Sequence, residues 1–150
     1  MTTYERLIKE LGDGLGIDLT PDGSGLAEVF AENRIVLLRA DETGECELTV
    51  FTVVATAPEG GFPPGTLARA LEMNLFGKEV AGNNLGLFAD SLVLSASIPL
   101  ADLMVEPLAE RIVMLARLAE TLAGSLAGSV PDSVPEDGGE ASIGEGFMAV

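Results

Sequence analysis

The chain has 150 residues, 47% of them hydrophobic, and its 24 acidic and 8 basic residues give a formal net charge of −16. This length and apolar content predict a folded domain and argue against an intrinsically disordered chain. The charge argues against nucleic acid and anionic membrane surfaces as partners, because no run of Lys or Arg reverses the repulsion locally. A basic or neutral protein partner is compatible with it.

Compartment and membrane signals are sparse. Cys46 is the only cysteine, so no intramolecular disulfide can form, which suits a reducing compartment. The first residues, MTTYERLIKELGDGLG, mix charged with apolar side chains and contain no secretory apolar region. No apolar run approaches the roughly 18 residues of a membrane span. We therefore expect a cytoplasmic protein that does not insert into membranes.

The first half of the sequence predicts one helix followed by three strands. Apolar residues recur at helical spacing over residues 3–14. Strand-like segments follow at 26–32, 34–40 and 46–57, with Asn33 in the first turn and Gly44 in the second. Both faces of the third strand carry apolar residues, so we expect it to be covered on both sides or to leave an apolar patch exposed.

The second half predicts a helix, a hairpin and a long final helix. Thr66 is expected to cap the second helix and Gly77 to end it. A hairpin of strands 84–89 and 92–98 should turn at Asp90 and Ser91. Pro107 lies in the first turn of a helix over about 106–127, where its missing N–H costs nothing.

The predicted element order is α-β-β-β-α-β-β-α. Short loops between consecutive strands favour an α+β fold, with an antiparallel five-stranded sheet and three helices. We expect a domain over residues 1–128. The stretch 129–150 is rich in Pro, Gly, Ser and acidic residues and is expected to be a flexible acidic tail.

Residues that usually carry catalysis are scarce. The chain has no histidine, which removes the commonest general base and the commonest metal ligand. Glu45 and Glu47 would share a strand face as a possible acid–base pair, although a solvated strand face explains them more simply. Cys46 is better explained as a small strand residue than as a nucleophile. We expect no catalytic residue, no metal site and no cofactor, and hence no enzyme.

Residues 67–122 carry a family resemblance. The short helix ending in LEMNLF, the hairpin LGLFADSLVLSASIPL and the amphipathic helix after it resemble the class I type III secretion chaperones of the Tir-chaperone type. The N-terminal helix and the three preceding strands follow the order of that family. The resemblance covers about residues 3–127. It implies a homodimer that holds the N-terminal segment of a secreted effector in an extended, non-globular state.

The resemblance also suggests where partners bind. A chaperone can cover exposed apolar side chains with its own patches and can offer a sheet edge for strand addition, without ATP. Effector-binding residues are expected on the first helix and on strand faces, although ordinary core packing is the simpler explanation for each of them: Leu7, Leu11, Val29, Val36, Leu38, Phe51 and Val53. The dimer interface implied by the family comprises Leu71, Leu75, Leu85 and Leu87.

An alternative remains open. An adaptor or regulatory domain of the same fold would bind a folded partner, whereas a secretion chaperone keeps its client extended. An enzyme that uses paired carboxylates is a third, weaker hypothesis, since it requires a deep pocket that raises the pKa of two acidic groups.

Overall fold

The computed structural model describes residues 1–127 and confirms the predicted α+β order. The predicted tail at 129–150 lies outside the described residues. The sheet has the strand order β1-β2-β3-β5-β4, and β1–β2, β2–β3 and β4–β5 pair antiparallel. The elements are α1 (Thr3–Leu15), β1 (Ala27–Ala31), β2 (Arg34–Ala40), β3 (Glu47–Thr56), α2 (Pro64–Phe76), β4 (Asn84–Phe88), β5 (Ser91–Pro99) and α3 (Val105–Ala127).

Contacts within the chain define two compact units. The first unit contains Met1–Thr52 and Ala96–Ala116, and the second contains Val53–Ser95 and the chain from Arg117 onward. The single domain expected for residues 1–128 stays a prediction.

In the first unit, α1 has well-formed ends. Thr2 and Glu5 form a reciprocal capping box at its start, and Gly16 ends it in the left-handed conformation with φ 73°. The N–H of Ile17 donates to the carbonyl of Gly12 at 2.9 Å, which turns the chain back against the helix. The residues of α1 that are buried are Tyr4, Leu7, Ile8, Leu11 and Gly12.

Tyr4 ties α1 to the sheet of the first unit. Its hydroxyl lies 2.8 Å from the carbonyl oxygens of both Leu38 and Gly25. A phenol has one proton to donate, so the two carbonyls share it. Burial, reinforced by the negative charge of Asp22, raises the pKa of Tyr4 to about 12. The phenol therefore stays neutral and keeps its proton for these carbonyls.

The β1–β2 hairpin closes on two residues, Glu32 and Asn33, which have φ values of 50° and 64°. Two consecutive left-handed residues are what a tight hairpin with right-handed strand twist requires, and Asn tolerates this conformation well. The turn fixes the register, with Ala31 opposite Arg34 and Phe30 opposite Ile35. The predicted turn at Asn33 is confirmed, and Glu32 is the other residue of the turn.

Asp41 organises the β2–β3 loop. Its carboxylate accepts the backbone N–H groups of Thr43, Cys46 and Glu47 at 2.9–3.2 Å. These hydrogen bonds, led by the one from the backbone of Glu47, hold the pKa of Asp41 well below its usual range. Gly44 has φ 70°, as the sequence predicted, because a side chain there would be strained.

The same loop holds the start of α1. The N–H of Tyr4 donates to the carbonyl of Gly44 at 3.0 Å, and the N–H of Thr3 donates to Oε2 of Glu45 at 3.1 Å. The hydroxyl of Thr3 donates to the other oxygen of Glu45. These bonds satisfy helix N-terminal donors that α1 itself cannot pair. They also lower the pKa of Glu45, chiefly through the Thr3 hydroxyl.

In the second unit, α2 begins at Pro64 with Pro63 as its N-cap. The prediction that Thr66 caps this helix is wrong. Thr66 lies inside the first turn and is fully buried, because the fixed φ of proline starts the helix earlier. The helix ends at Gly77 in the left-handed conformation, as predicted.

The β4–β5 hairpin turns one residue earlier than the sequence suggested. Ala89 has φ 54° and precedes Asp90, while Ser91 already pairs with Phe88. The carbonyl of Asp90 accepts the N–H of Ala57 at 2.6 Å, which fixes this turn against the chain leaving β3. The predicted turn at Asp90 and Ser91 is thus shifted to Ala89 and Asp90.

Two glycines of α1 provide a matched test of packing. A Cβ at Gly12 would lie 2.8 Å from Cβ of Leu19, whereas a Cβ at Gly14 would meet nothing within 4 Å. We expect Gly12→Ala to lower the free energy of unfolding by about 1–3 kcal/mol through overpacking. Gly14→Ala should raise it by about 0.5–1 kcal/mol through helix propensity. Urea denaturation followed by circular dichroism measures both, and equal effects of the two substitutions would contradict the close packing at Gly12.

Asp41 should contribute stability that acid removes. Because its pKa is lowered on folding, this contribution is present above about pH 4, its ordinary range, and is lost as pH falls through the lower folded value. We expect Asp41→Asn to be less stable than the wild type at pH 7, and the difference to shrink steadily below pH 4. Urea titrations between pH 2.5 and 7 measure it. Glu42→Gln removes the same charge from the same loop and is the control, and an equal pH-dependent loss there would disprove the assignment to Asp41.

Candidate functional site

Most of the side chains predicted to bind an effector lie in the core. Five of the seven are no more than 5% exposed: Leu7, Leu11, Val29, Val36 and Leu38. Their apolar periodicity is therefore satisfied by packing within the chain. They offer no surface to a partner in this structure, which corrects their placement as surface patches. Phe51 and Val53 are half-buried and alternate along β3 with residues that are fully buried.

An apolar surface of the first unit lies instead on the alternate residues of the β1–β2 hairpin. Phe30 is 70% exposed and Ile35 is 50% exposed, and the two are direct cross-strand partners. Leu37 is half-buried and pairs with Phe51 on β3. These four residues form what we term the hairpin face. Sequence reasoning missed Phe30, Ile35 and Leu37, although strand alternation with the opposite parity would have selected them.

The hairpin face borders an open strand edge. Residues flanking a two-residue turn exchange both of their backbone hydrogen bonds, so Ala31, Val29 and Ala27 bond to β2. The N–H and C=O groups of Glu28 and Phe30 therefore point away from the sheet. Within the described part of the chain these four groups take no hydrogen bond. An exposed row of this kind is a template for strand addition.

The second unit presents another apolar surface, which we term the α2–β4 surface. Leu71, Leu75 and Leu87, three of the four residues predicted for the dimer interface, are 57–77% exposed. The fourth, Leu85, is only 5% exposed, so its placement at an interface is corrected to the core. Phe76 is 76% exposed and extends the surface at the end of α2, whereas Phe88, 78% exposed, lies on the opposite face of β4 from Leu87. Both were missed because each lies at the end of its element, where periodicity gives no signal.

The acidic residues behave as structural groups. Glu45 and Glu47, the possible acid–base pair, are engaged separately, Glu45 by Thr3 and Glu47 by the hydroxyl of Ser97. The pKa of Glu45 is lowered, whereas a general acid at neutral pH needs a raised pKa. Glu45 therefore lacks the raised pKa that the acid–base hypothesis requires of it.

A shallow cleft of the first unit contains two further carboxylates. Asp22 and Asp41 line it beside Tyr4 and Arg39. Asp22 accepts the N–H of Leu26 at 2.9 Å and both the hydroxyl and the N–H of Ser24, and these hydrogen bonds lower its pKa. Both carboxylates thus accept hydrogen bonds from N–H groups of their own loops, and these bonds stabilise the loop conformations.

Reactive and metal-binding groups add little. Cys46 is exposed, and its Sγ lies 3.8 Å from the hydroxyl of Thr43. Across residues 1–127, no three His, Cys, Asp or Glu side chains are grouped to hold a metal ion. No helix in this part of the chain is long and apolar enough to cross a membrane.

Comparison with solved structures finds the same fold in a type III secretion chaperone and in two further protein complexes. The Yersinia pestis type III secretion chaperone SycH, in complex with a stable fragment of YscM2, is 24% identical over 79% of this chain and 98% of its own, with a TM-score of 0.59. The ExsC–ExsE complex gives 19% identity, coverage of 84% and 97%, and a TM-score of 0.68. The ExoT–SpcS complex from Pseudomonas aeruginosa gives 21%, 79% and 96%, and 0.57. No curated protein matches significantly.

The family comparison covers most of the sequence. The model of the Tir chaperone protein (CesT) family matches residues 6–123, which include every helix and strand of the fold at least in part. This confirms the resemblance found in the hairpin and helices of residues 67–122. The chain belongs to the Tir chaperone protein (CesT) family.

Proposed function

We propose that this chain is a type III secretion chaperone of the bacterial cytoplasm. As a homodimer, it binds the N-terminal segment of a secreted effector in an extended, non-globular state and does so without ATP. The observation that carries the proposal is the hairpin face beside an open strand edge, a surface suited to an extended polypeptide. Membership of the CesT family and the similar fold of the SycH chaperone, solved in complex with a fragment of YscM2, support it.

The hairpin face and the β1 edge bind different parts of such a client. The outward N–H and C=O groups of Glu28 and Phe30 pair with client backbone, which is independent of client sequence. Phe30 and Ile35 cover client apolar side chains, each fully buried side chain contributing roughly 1.5–3 kcal/mol. Together they stabilise an extended segment against collapse, so binding energy alone keeps it unfolded.

The α2–β4 surface is proposed as the homodimer interface. Leu71 and Leu75 lie one helical turn apart on α2, so they form a continuous apolar stripe with Phe76 beside it. Exposed apolar surface of this extent on adjacent elements marks an association site. A symmetric pairing would bury the same residues on both protomers. Two protomers also double the surface available to one client chain.

The net charge of −16 favours clients with basic segments. Attraction between opposite charges speeds the encounter and weakens with added salt.

Charge does not distinguish an extended client from a folded one. Hydrogen exchange on a purified complex does, since an extended client keeps most of its amides unprotected outside the bound segment. A globally protected partner would instead favour the adaptor hypothesis.

Introducing charge on the α2–β4 surface should give monomers. Each protomer has a mass of 15.5 kDa, and light scattering of the wild type is expected to give twice that value at micromolar concentration. The double substitution Leu71→Glu and Leu75→Glu should yield a folded monomer, because it desolvates charge at the interface centre. Met114→Glu replaces an apolar residue of the first unit that is also mostly exposed, at 62%, and should stay dimeric. A wild-type monomer would refute the interface.

Substitution on the hairpin face should weaken client binding without changing assembly. A pull-down from the native host, read by mass spectrometry, identifies the client, and titration calorimetry then gives the Kd. Phe30→Ser should raise that Kd about tenfold or more, as loss of a central aromatic contact does. Met114→Ser should leave it within about twofold, since scattered exposed residues contribute little. If Phe30→Ser and Ile35→Ser together leave the Kd unchanged, the hairpin face is excluded as the client-binding surface.

The ATP-independent mechanism is tested separately, because the complex should still form after ATP has been depleted.

A further inference from the structure

The second unit contains the other edge strand of the sheet, β4, and α2 pairs with its backbone. The side-chain amide of Asn74 donates from Nδ2 to the carbonyl of Leu85, and the N–H of Leu85 donates back to Oδ1 of Asn74 at 2.8 Å. Only one orientation of the amide satisfies both bonds. A residue on a neighbouring antiparallel strand would make the same pair of hydrogen bonds with Leu85.

The groups that Asn74 occupies are those that face away from the sheet. Both Leu85 groups are taken by α2, so the bonds from β4 to β5 fall on the alternate residues Asn84, Gly86 and Phe88. The next outward position toward the start of the strand is Asn83, whose N–H donates to the carbonyl of Val80 at 3.0 Å. The outward row on β4 is therefore interrupted at its first two positions.

The β1 edge is left open by contrast. Asp22 pairs with Leu26 just before the strand, accepting its N–H and donating to its carbonyl at 2.9 Å. Beyond that pair, Glu28 and Phe30 present four consecutive outward groups. An extended segment can make several backbone bonds here, whereas on β4 only Leu87 keeps both outward groups without a partner among the described residues.

We propose that Asn74 is a positioning residue that closes the β4 edge and thereby restricts strand addition by an extended partner to β1. The part of this inference that concerns the partner rests on the proposed function. It follows that the α2–β4 surface associates through side chains and that β4 strands of two protomers do not pair into a continuous sheet. Edge strands left open invite such pairing, and covering the edge with a helix prevents it.

Amide exchange tests the closure without any partner. By NMR on the full chain, the Leu85 amide should be protected in the wild type and exchange about tenfold faster in Asn74→Ala, the effect of losing roughly one net hydrogen bond. Asn74→Asp keeps an acceptor for that N–H and should stay within about threefold of the wild type. The control Asn83→Ala removes a neighbouring amide that donates to Val80 and should leave Leu85 unchanged.

A merely structural role of Asn74 gives a different pattern. Loosening of α2 would accelerate exchange at Ala70 and Met73, which are buried on the same helix, as much as at Leu85. Acceleration confined to Leu85 supports the specific bond. Acceleration spread equally along α2, or unchanged exchange at Leu85 in Asn74→Ala, overturns the proposal.

A strand probe tests the restriction to β1. A synthetic eight-residue peptide of alternating Val and Lys with a nitroxide label should broaden the amide signals of Glu28 and Phe30 in the wild type and leave Leu85 sharp. In Asn74→Ala it should broaden Leu85 as well. If the Leu85 amide of Asn74→Ala exchanges fast but the probe still broadens only the β1 signals, the proposed role of Asn74 is overturned. A probe that never reaches β1 in the wild type refutes strand addition there, and the exchange result on Asn74 stands apart from it.

Discussion

An open β-sheet has two faces and two edges, and side chains alternate between the faces at every residue. In this chain that alternation decides which apolar residues of the sheet are buried and which are exposed. On β1 and β2, Val29, Val36 and Leu38 are buried, while Phe30 and Ile35 lie exposed on the other face. A shift of register by one residue would exchange the two sets. The two-residue turn at Glu32 and Asn33 prevents that shift, so a short turn determines which apolar residues remain available for binding.

Charge has two separate roles in this molecule. A few carboxylates are fixed by the backbone, as Asp41 is by three N–H groups of its own loop and Glu45 by the start of α1. The depressed pKa values of these two groups show that they are stabilised in the ionised form. Most other acidic residues add to the net negative field. The first role holds the loop that supports α1, and under the proposed function the second attracts partners with basic segments.

The order and type of the elements could be predicted from the sequence because helix and strand periodicities differ clearly. Periodicity alone could not predict which apolar faces stay exposed, since an apolar stripe has the same pattern whether it packs inside or faces solvent. Leu7 and Leu11 illustrate this on α1, where the stripe is core. Leu85 and Leu87 share one face of β4, yet only Leu85 is buried. Asn74 gave no signal at all, because its partner is a backbone group eleven residues away.

The composition of α2 explains why one helix can serve two purposes. On α1 the residues between the apolar positions are charged, as with Arg6 and Glu10, whereas α2 is apolar around much of its circumference. Its buried side carries Ala70 and Met73, next to Asn74 at the β4 edge, and Leu71 and Leu75 point to solvent. A helix that is apolar on opposite sides is stable in water only when both sides are covered. The first side is covered within the chain by β4, and under the proposed function a second protomer covers the other side, so closure of the sheet edge and the proposed assembly depend on the same helix.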